Sequence, residues 1–422
     1  MQDWAGWLLF FYSFIFIISF KDVWKDRSVA YAMFLILVFH HLAAITNAYI
    51  VMLPGNDALG FDASATTLAE GGIITGNAVS TLPYTKFLSV VHTVFGSSYF
   101  LAEELSVITF AFSCIVFIKL INLTNVRQHR VGLLMLYGLL PGTIIFTSMG
   151  LREAYQILFL MLTVYFGLRI HVKPMIGAGL LMTLSAVLFG LLHHAFIIIA
   201  VALVPMLLFW KPRKPSIKKR FAFSKRFLVS GMAFFIFLVG WYYCTGPSGL
   251  FKGYGVNLNR SISSYKEEIE RRPKVLESVQ GRTDYYSPVD LSSIKSAVIT
   301  TLRSLSFYLF GPFPWQIRAF ADIILGFEAL IRFLLVVFSI RSWCKSQGSQ
   351  RRLYGLFLVI WFLVVILFAY GTANYGTAMR HNIVSHWLLV LVGGSGLIKF
   401  VTILPISKSE VHNSSREINE CG

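Results

Sequence analysis

The chain has 422 residues, 56% hydrophobic and 14% charged, with 37 Lys and Arg against 20 Asp and Glu. A soluble domain carries about a quarter of its residues as charges, so this composition excludes a soluble globular protein and fits a chain that crosses a bilayer several times. The formal net charge of +17 does not point to nucleic acid, because the basic residues fall in short clusters between apolar runs, where they set membrane orientation.

Taken in order, continuous apolar runs predict an all-α, polytopic integral membrane protein with about eleven transmembrane helices: 4–20, 28–52, 98–121, 131–149, 154–170, 175–192, 195–210, 227–244, 321–340, 353–373 and 383–402. The first run, in MQDWAGWLLFFYSFIFIISF, lacks a basic leader and a small-residue cleavage site, so it is taken as a span rather than a signal peptide. KDVWKDR (21–27), NVRQHR (125–130), RIHVKP (169–174), KPRKPSIKKRFAFSKR (211–226) and RSWCKSQGSQRR (341–352) are all basic, and the eleven-span count puts them on one side, the cytoplasm.

The organisation expected is an N-terminal bundle over 1–244 with a first outer loop at 53–97, an extracytoplasmic segment at 245–320, C-terminal spans over 321–402 and a cytoplasmic tail at 403–422. Within 245–320, SYKEEIERRPKVLESVQ reads as a short solvated helix. SIKSAVITTLRSLSFYLFGPFPWQIRAF then reads as an outward-facing interfacial helix or a re-entrant element, with Trp315 at headgroup depth. KFLSVVHTVFG (86–96) predicts a second interfacial helix. The four cysteines have neither disulfide nor zinc spacing.

The residues with chemical character fall on the outer side. GFDASATTLAEGG (60–72) holds Asp62 beside Phe61 and Ala63, where desolvation suits a general base, with Asp57 and Glu70 as lesser candidates; the competing reading for Asp62 is a helix N-cap. Glu103 and Glu104 enter the third run, either paired or favouring a helix N-terminus. In TSMGLREAYQ (147–156), Glu153 suits a first helical turn, but Arg152 opposes the dipole and asks for an anionic partner, a phosphate; the competing reading is structural pairing between helices. His193 and His194 occupy an outer turn and could bind phosphate or shuttle a proton, or simply fill the turn. Arg318, Arg380 and His381, with Arg152, make a cationic set of the kind that a diphosphate requires; the competing reading is that such arginines anchor lipid headgroups. No phosphate-binding loop, dinucleotide fingerprint or HExxH occurs, so no nucleotide, metal or other cofactor is expected.

GFDASATTLAE, YTKFLSVVHTVFG, LPGTIIFTSMGLREAYQ, FGPFPWQ and NYGTAMRHN together resemble the bacterial repeat-unit polymerases of O-antigen and capsule and related C-type-fold membrane glycosyltransferases. The resemblance implies sugar transfer from an undecaprenyl-diphosphate carrier at the periplasmic face of the inner membrane, in lipopolysaccharide or capsule assembly. By it, Asp62 matches the first-loop carboxylate that activates or orients the acceptor, and Arg152 and Arg380 match the cations on the carrier phosphates. Glu153, in the wall of that pocket with Arg152, is taken with Asp62 as a catalytic carboxylate. The implied partners are the polyprenyl-linked glycan, membrane lipid and a chain-length regulator. A flippase for the same lipid-linked oligosaccharide is the rival; it would place ionisable groups at mid-bilayer depth and use broken helices. A membrane acyltransferase would need a membrane-embedded or outward His with a carboxylate partner.

Overall fold

The computed structural model describes residues 3–50, 56–73, 82–124, 126, 129–173, 175–210, 293–372 and 374–403. The expected run at 227–244, most of the 245–320 segment and the tail beyond 403 lie outside the described residues. The chain is helical: α1 (Trp4–Ile18), α2 (Lys21–Trp24), α3 (Arg27–Tyr49), α4 (Asn56–Ala69), α5 (Leu82–Phe95), α6 (Tyr99–Thr124), α7 (Arg130–Gly138), α8 (Pro141–Ser148), α9 (Glu153–Val172), α10 (Ile176–Leu192), α11 (His194–Phe209), α12 (Ile294–Phe310), α13 (Phe320–Lys345), α14 (Gly348–Gly371) and α15 (Tyr375–Ile403).

The count of about eleven spans is corrected. Among the described residues six helices (α3, α6, α9, α13, α14 and α15) are long and apolar enough to cross a membrane, and a seventh span is counted if the bent pair α7–α8 is taken as one. The runs at 4–20, 175–192 and 195–210 fold as helices of 15, 17 and 16 residues. At 1.5 Å per residue such helices reach only about 23–26 Å, short of a hydrocarbon core of roughly 30 Å. An apolar run reports composition, whereas crossing depends on the length of unbroken helix.

Lipid exposure is written on α13, where Phe320, Ile323, Phe327, Leu330, Val337 and Ile340 are exposed at helical spacing. The buried centre is formed by α6, α9 and α15: α9 packs on α6 and α10, and α15 on α13, α14, α7 and α9, while α1 and α3 pack on α6. Among the described residues the basic connections gather at one end; the segment 211–226 lies outside them. Arg130 donates to the Asp22 carbonyl at 2.7 Å, His171 Nε2 to the Leu207 carbonyl at 2.7 Å and Trp210 to the Arg352 carbonyl at 3.4 Å. The opposite end collects the starts of α6, α9 and α15 and the close of α10, and is called the acidic end below.

α12 stays at the acidic end. Thr301 meets Tyr370 in the last turn of α14, Asn382 donates to the Tyr308 carbonyl at 2.9 Å, and Arg332 donates to the Leu309 carbonyl at 2.9 Å. Gly311 then lies against the Tyr375 ring, where a Cβ would come within 2.5 Å of a ring carbon, and the chain turns back through an exposed Trp315 to α13.

The bend of 59° between α7 and α8 follows from Pro141 at the start of α8, a position where the missing N–H costs nothing. The freed amide of Gly142 donates to Glu328 Oε2 at 2.7 Å, and Glu328 Oε1 meets Arg332 Nη2 at 3.1 Å, one turn along α13. A negative carboxylate on the positive end of a half-helix is favourable, and Arg332 neutralises it. Gly142 has no space for a side chain: a Cβ would stand 2.6 Å from Met379 Cε and 2.9 Å from the Glu328 carboxylate. Replacing Glu328 by Ala leaves Arg332 buried without its counter-ion and is expected to cost about 3–5 kcal/mol; Glu328→Gln, which keeps an acceptor for Gly142, is expected to lose less. Thermal unfolding of the purified protein in detergent checks the order.

Candidate functional site

The centre of the acidic end is a guanidinium shared by two carboxylates. Arg380 Nε donates to Glu153 Oε1 at 2.5 Å, and Arg380 Nη1 donates to Asp57 Oδ2. The three residues come from α15, α9 and α4. Asn374 caps α15 through the amides of Gly376 and Thr377, so the last helix starts at Tyr375, earlier than the run 383–402 implies, and Arg380 lies more than a turn inside it. Arg380 is 9% exposed and Glu153 is fully buried, whereas the Asp57 side chain is 62% exposed. The triad is thus an interior ion bridge, Arg380 with Glu153, carrying one exposed member, Asp57.

Arg152 stands next to it at the start of α9. Its Nη1 donates to the Leu192 carbonyl at the end of α10 at 3.0 Å, and its guanidinium carbon lies 5.1 Å from the Phe61 ring centroid. The dipole conflict noted for Arg152 is met by the carbonyl end of another helix, where positive charge is favourable, and by a cation–π contact. Asp57 and Phe61 are four residues apart on one face of α4. That face meets both arginines.

Asp62 lies within α4 rather than at its N-cap, because the helix begins at Asn56. It turns toward α5, where His92 Nε2 is 3.4 Å from Asp62 Oδ1 and His92 Nδ1 is 3.3 Å from Thr66 Oγ1. Burial raises the Asp62 pKa, and the facing His92 opposes that rise. Burial lowers the His92 pKa, and the Asp62 carboxylate opposes that fall. Tyr99 and Glu103 of α6 are within electrostatic reach of Asp62. The arrangement suits a carboxylate that takes up a proton more readily than a solvated one.

The remaining expected residues separate. Glu103 and Glu104 are fully buried in the second turn of α6 and pair between helices instead of serving its N-terminus: Asn47 donates to Glu103, and Glu104 Oε2 is 2.8 Å from His41 Nδ1. His41 Nε2 is 2.8 Å from Ser13 Oγ, which joins α1, α3 and α6. His193 caps α11, accepting from the Ala195 amide at 3.2 Å, and His381 stacks on Phe368 at 4.1 Å with His193 6.1 Å away. These two histidines are brought together as an aromatic cluster. The side chain of His194 is outside the described residues. Arg318 and Trp315 are exposed on the return from α12; the Arg318 amide donates to Asp322 at 3.0 Å. Arg318 lies within electrostatic reach of Tyr375, at the start of α15.

Asp57 as the second anchor of Arg380 and His92 as the partner of Asp62 escaped sequence reasoning. The periodicity of YTKFLSVVHTVF could have found His92, since it shares the buried face of α5 with Thr85 and Leu88. Glu328 and Arg332, an i,i+4 charge pair inside an apolar run, were also missed. Among the described residues no group of three or more His, Cys, Asp or Glu is arranged to hold a metal. Comparison with protein-family models and with curated protein sequences finds no match.

Removing Arg380 leaves the buried Glu153 carboxyl without its counter-ion, so Arg380→Ala is expected to destabilise by about 3–5 kcal/mol. Adding Glu153→Gln to it is expected to recover part of that loss. A double-mutant cycle read by unfolding in detergent measures the coupling.

Proposed function

We propose that this multi-pass membrane protein is a glycosyltransferase that takes a sugar or oligosaccharide from a polyprenyl-diphosphate carrier and uses it to extend or polymerise a surface polysaccharide. In this reading the acidic end faces the periplasm, the basic end and the C-terminus face the cytoplasm, and the membrane is the bacterial inner membrane. The observation that carries it is the convergence of Arg152 and Arg380 on the α4 face next to Asp62, although the three come from separate parts of the chain.

Transfer on this reading proceeds by displacement. The Asp62 carboxylate takes the proton of the acceptor hydroxyl, the acceptor oxygen bonds to the anomeric carbon, and the bond from that carbon to the diphosphate oxygen breaks. The electron pair leaves on the polyprenyl diphosphate, whose charge Arg380 and Arg152 stabilise. Asp57, the exposed carboxylate on Arg380, holds the place of a phosphate oxygen and yields it when the carrier binds. The resemblance in GFDASATTLAE and NYGTAMRHN supports the same assignment.

A transporter of the same lipid-linked glycan is the second reading, favoured by the bend at α7–α8 and by the buried Glu328–Arg332 pair in α13. These groups depart from the expectation that the residues with chemical character fall on the outer side. Both are engaged within the protein, however, and the half-helix N-terminus is already filled by Glu328. His41 and Glu104 supply the His–carboxylate pair that an acyltransferase would need, but they are 1% and 0% exposed and ringed by Phe10 and Phe14. They offer an acyl donor no access.

In a strain lacking the gene, a surface glycan of single units is the result expected for a polymerase, and complete loss of the glycan would favour transport. Asp62→Asn, Arg152→Ala and Arg380→Lys are each expected to abolish the polysaccharide ladder, and wild-type ladders from all three would overturn the site. His92→Gln removes the group that holds the Asp62 pKa down, so the acid limb of the transfer rate is expected to move to higher pH. A pH profile in reconstituted membranes checks the sign.

A further inference from the structure

Gln156 is buried to 1% exposure in α9, and neither its amide oxygen nor its amide nitrogen has a hydrogen-bond partner among the described residues. It alone among the buried side chains there has two polar atoms in that state. A polar atom left unsatisfied in a dry interior costs about 1–3 kcal/mol, and native structures keep such groups where a ligand or water completes them. Gln156 follows Glu153 by three residues, so the two share a face of α9, with Gln156 about 4.5 Å deeper along the helix. The second oxygen of Glu153 is also buried and unpaired, and so is the hydroxyl of Ser148 at the end of α8.

We infer that Gln156, Ser148 and the free Oε2 of Glu153 form a recognition site for a neutral, hydroxyl-rich ring beside the Arg380 bridge. The amide offers a donor and an acceptor, the hydroxyl offers both, and the carboxylate oxygen accepts; together they match adjacent hydroxyls of a pyranose. Glu153 is already neutralised by Arg380 through its other oxygen, so the site does not call for a charged ligand. Identification of the ring as the sugar on the carrier rests on the glycosyl-transfer reading. Gln156 then acts as a binding residue that selects the glycan, while the arginines hold the diphosphate.

The test uses the full-length protein in lipid nanodiscs, the lipid-linked glycan extracted from the producing strain as donor, and sugar-free undecaprenyl diphosphate as inhibitor. Gln156→Leu is expected to unfold at the same or a higher temperature than wild type, because it removes an unsatisfied amide. Its KM for the donor is expected to rise at least about tenfold, the loss of roughly two neutral hydrogen bonds, with inhibition by undecaprenyl diphosphate unchanged. Gln156→Met and Ser148→Ala are expected to follow in the same direction and guard against a local packing fault. Unchanged donor kinetics would mean that water alone completes these groups, and equal losses for donor and inhibitor would mean a structural role; either result overturns the inference and spares the carrier reading. A wild-type protein that neither transfers nor is occupied by undecaprenyl diphosphate removes the carrier reading, and the sugar assignment goes with it.

Discussion

Everything at the acidic end depends on how one guanidinium is divided. Arg380 is planar and permanently charged, so it can hold Glu153 with Nε and Asp57 with Nη1 at the same time. A buried ion of this kind is tolerated only when matched. Here the match to Glu153 joins two of the most buried helices, α9 and α15, whereas the match to Asp57 ties in a helix that packs mainly on its neighbour α5. The two halves therefore differ in character: one is a cross-brace of the bundle and the other a surface latch on the α4–α5 hairpin. Phe61 under Arg152 is a second latch on the same face.

The other buried ionisable groups follow a different rule. Glu328 is consumed by Gly142 and Arg332, and Glu104 by His41, which is itself held by Ser13. These clusters connect helices that are distant along the chain. They behave as joints rather than as sites, since their partners already fill them. Among the described residues Gln156 has no such partners, and on the inference drawn above that contrast separates a polar group retained for packing from one retained for a ligand.

Much of the architecture was legible in the composition. Helical membrane character followed from apolar runs, and the gathering of basic loops at one end followed from their charge; Arg130 on Asp22 and Trp210 on Arg352 show that grouping in space. The number of spans was not legible, because hydropathy does not reveal where Pro141 starts a new helix or where α1, α10 and α11 stop short. At the site, the outward cluster of Arg152, Glu153 and Arg380 could be nominated from residue type and helix position. Their actual partners could not, because the Arg380–Asp57 contact closes a separation of 323 residues. Arg318 was nominated by the same logic; it is exposed, and its backbone amide caps onto Asp322.

The glutamate at the bend has a consequence for biogenesis. Gly142 precedes Glu328 by 186 residues, so the ribosome delivers the half-helix long before the carboxylate that receives its amide. Until α13 inserts, the start of α8 has an open backbone donor, and Arg332 must arrive with Glu328 on the same helical turn to make the late arrival electrically neutral. The order of synthesis thus makes α13 the keystone that completes the early segments.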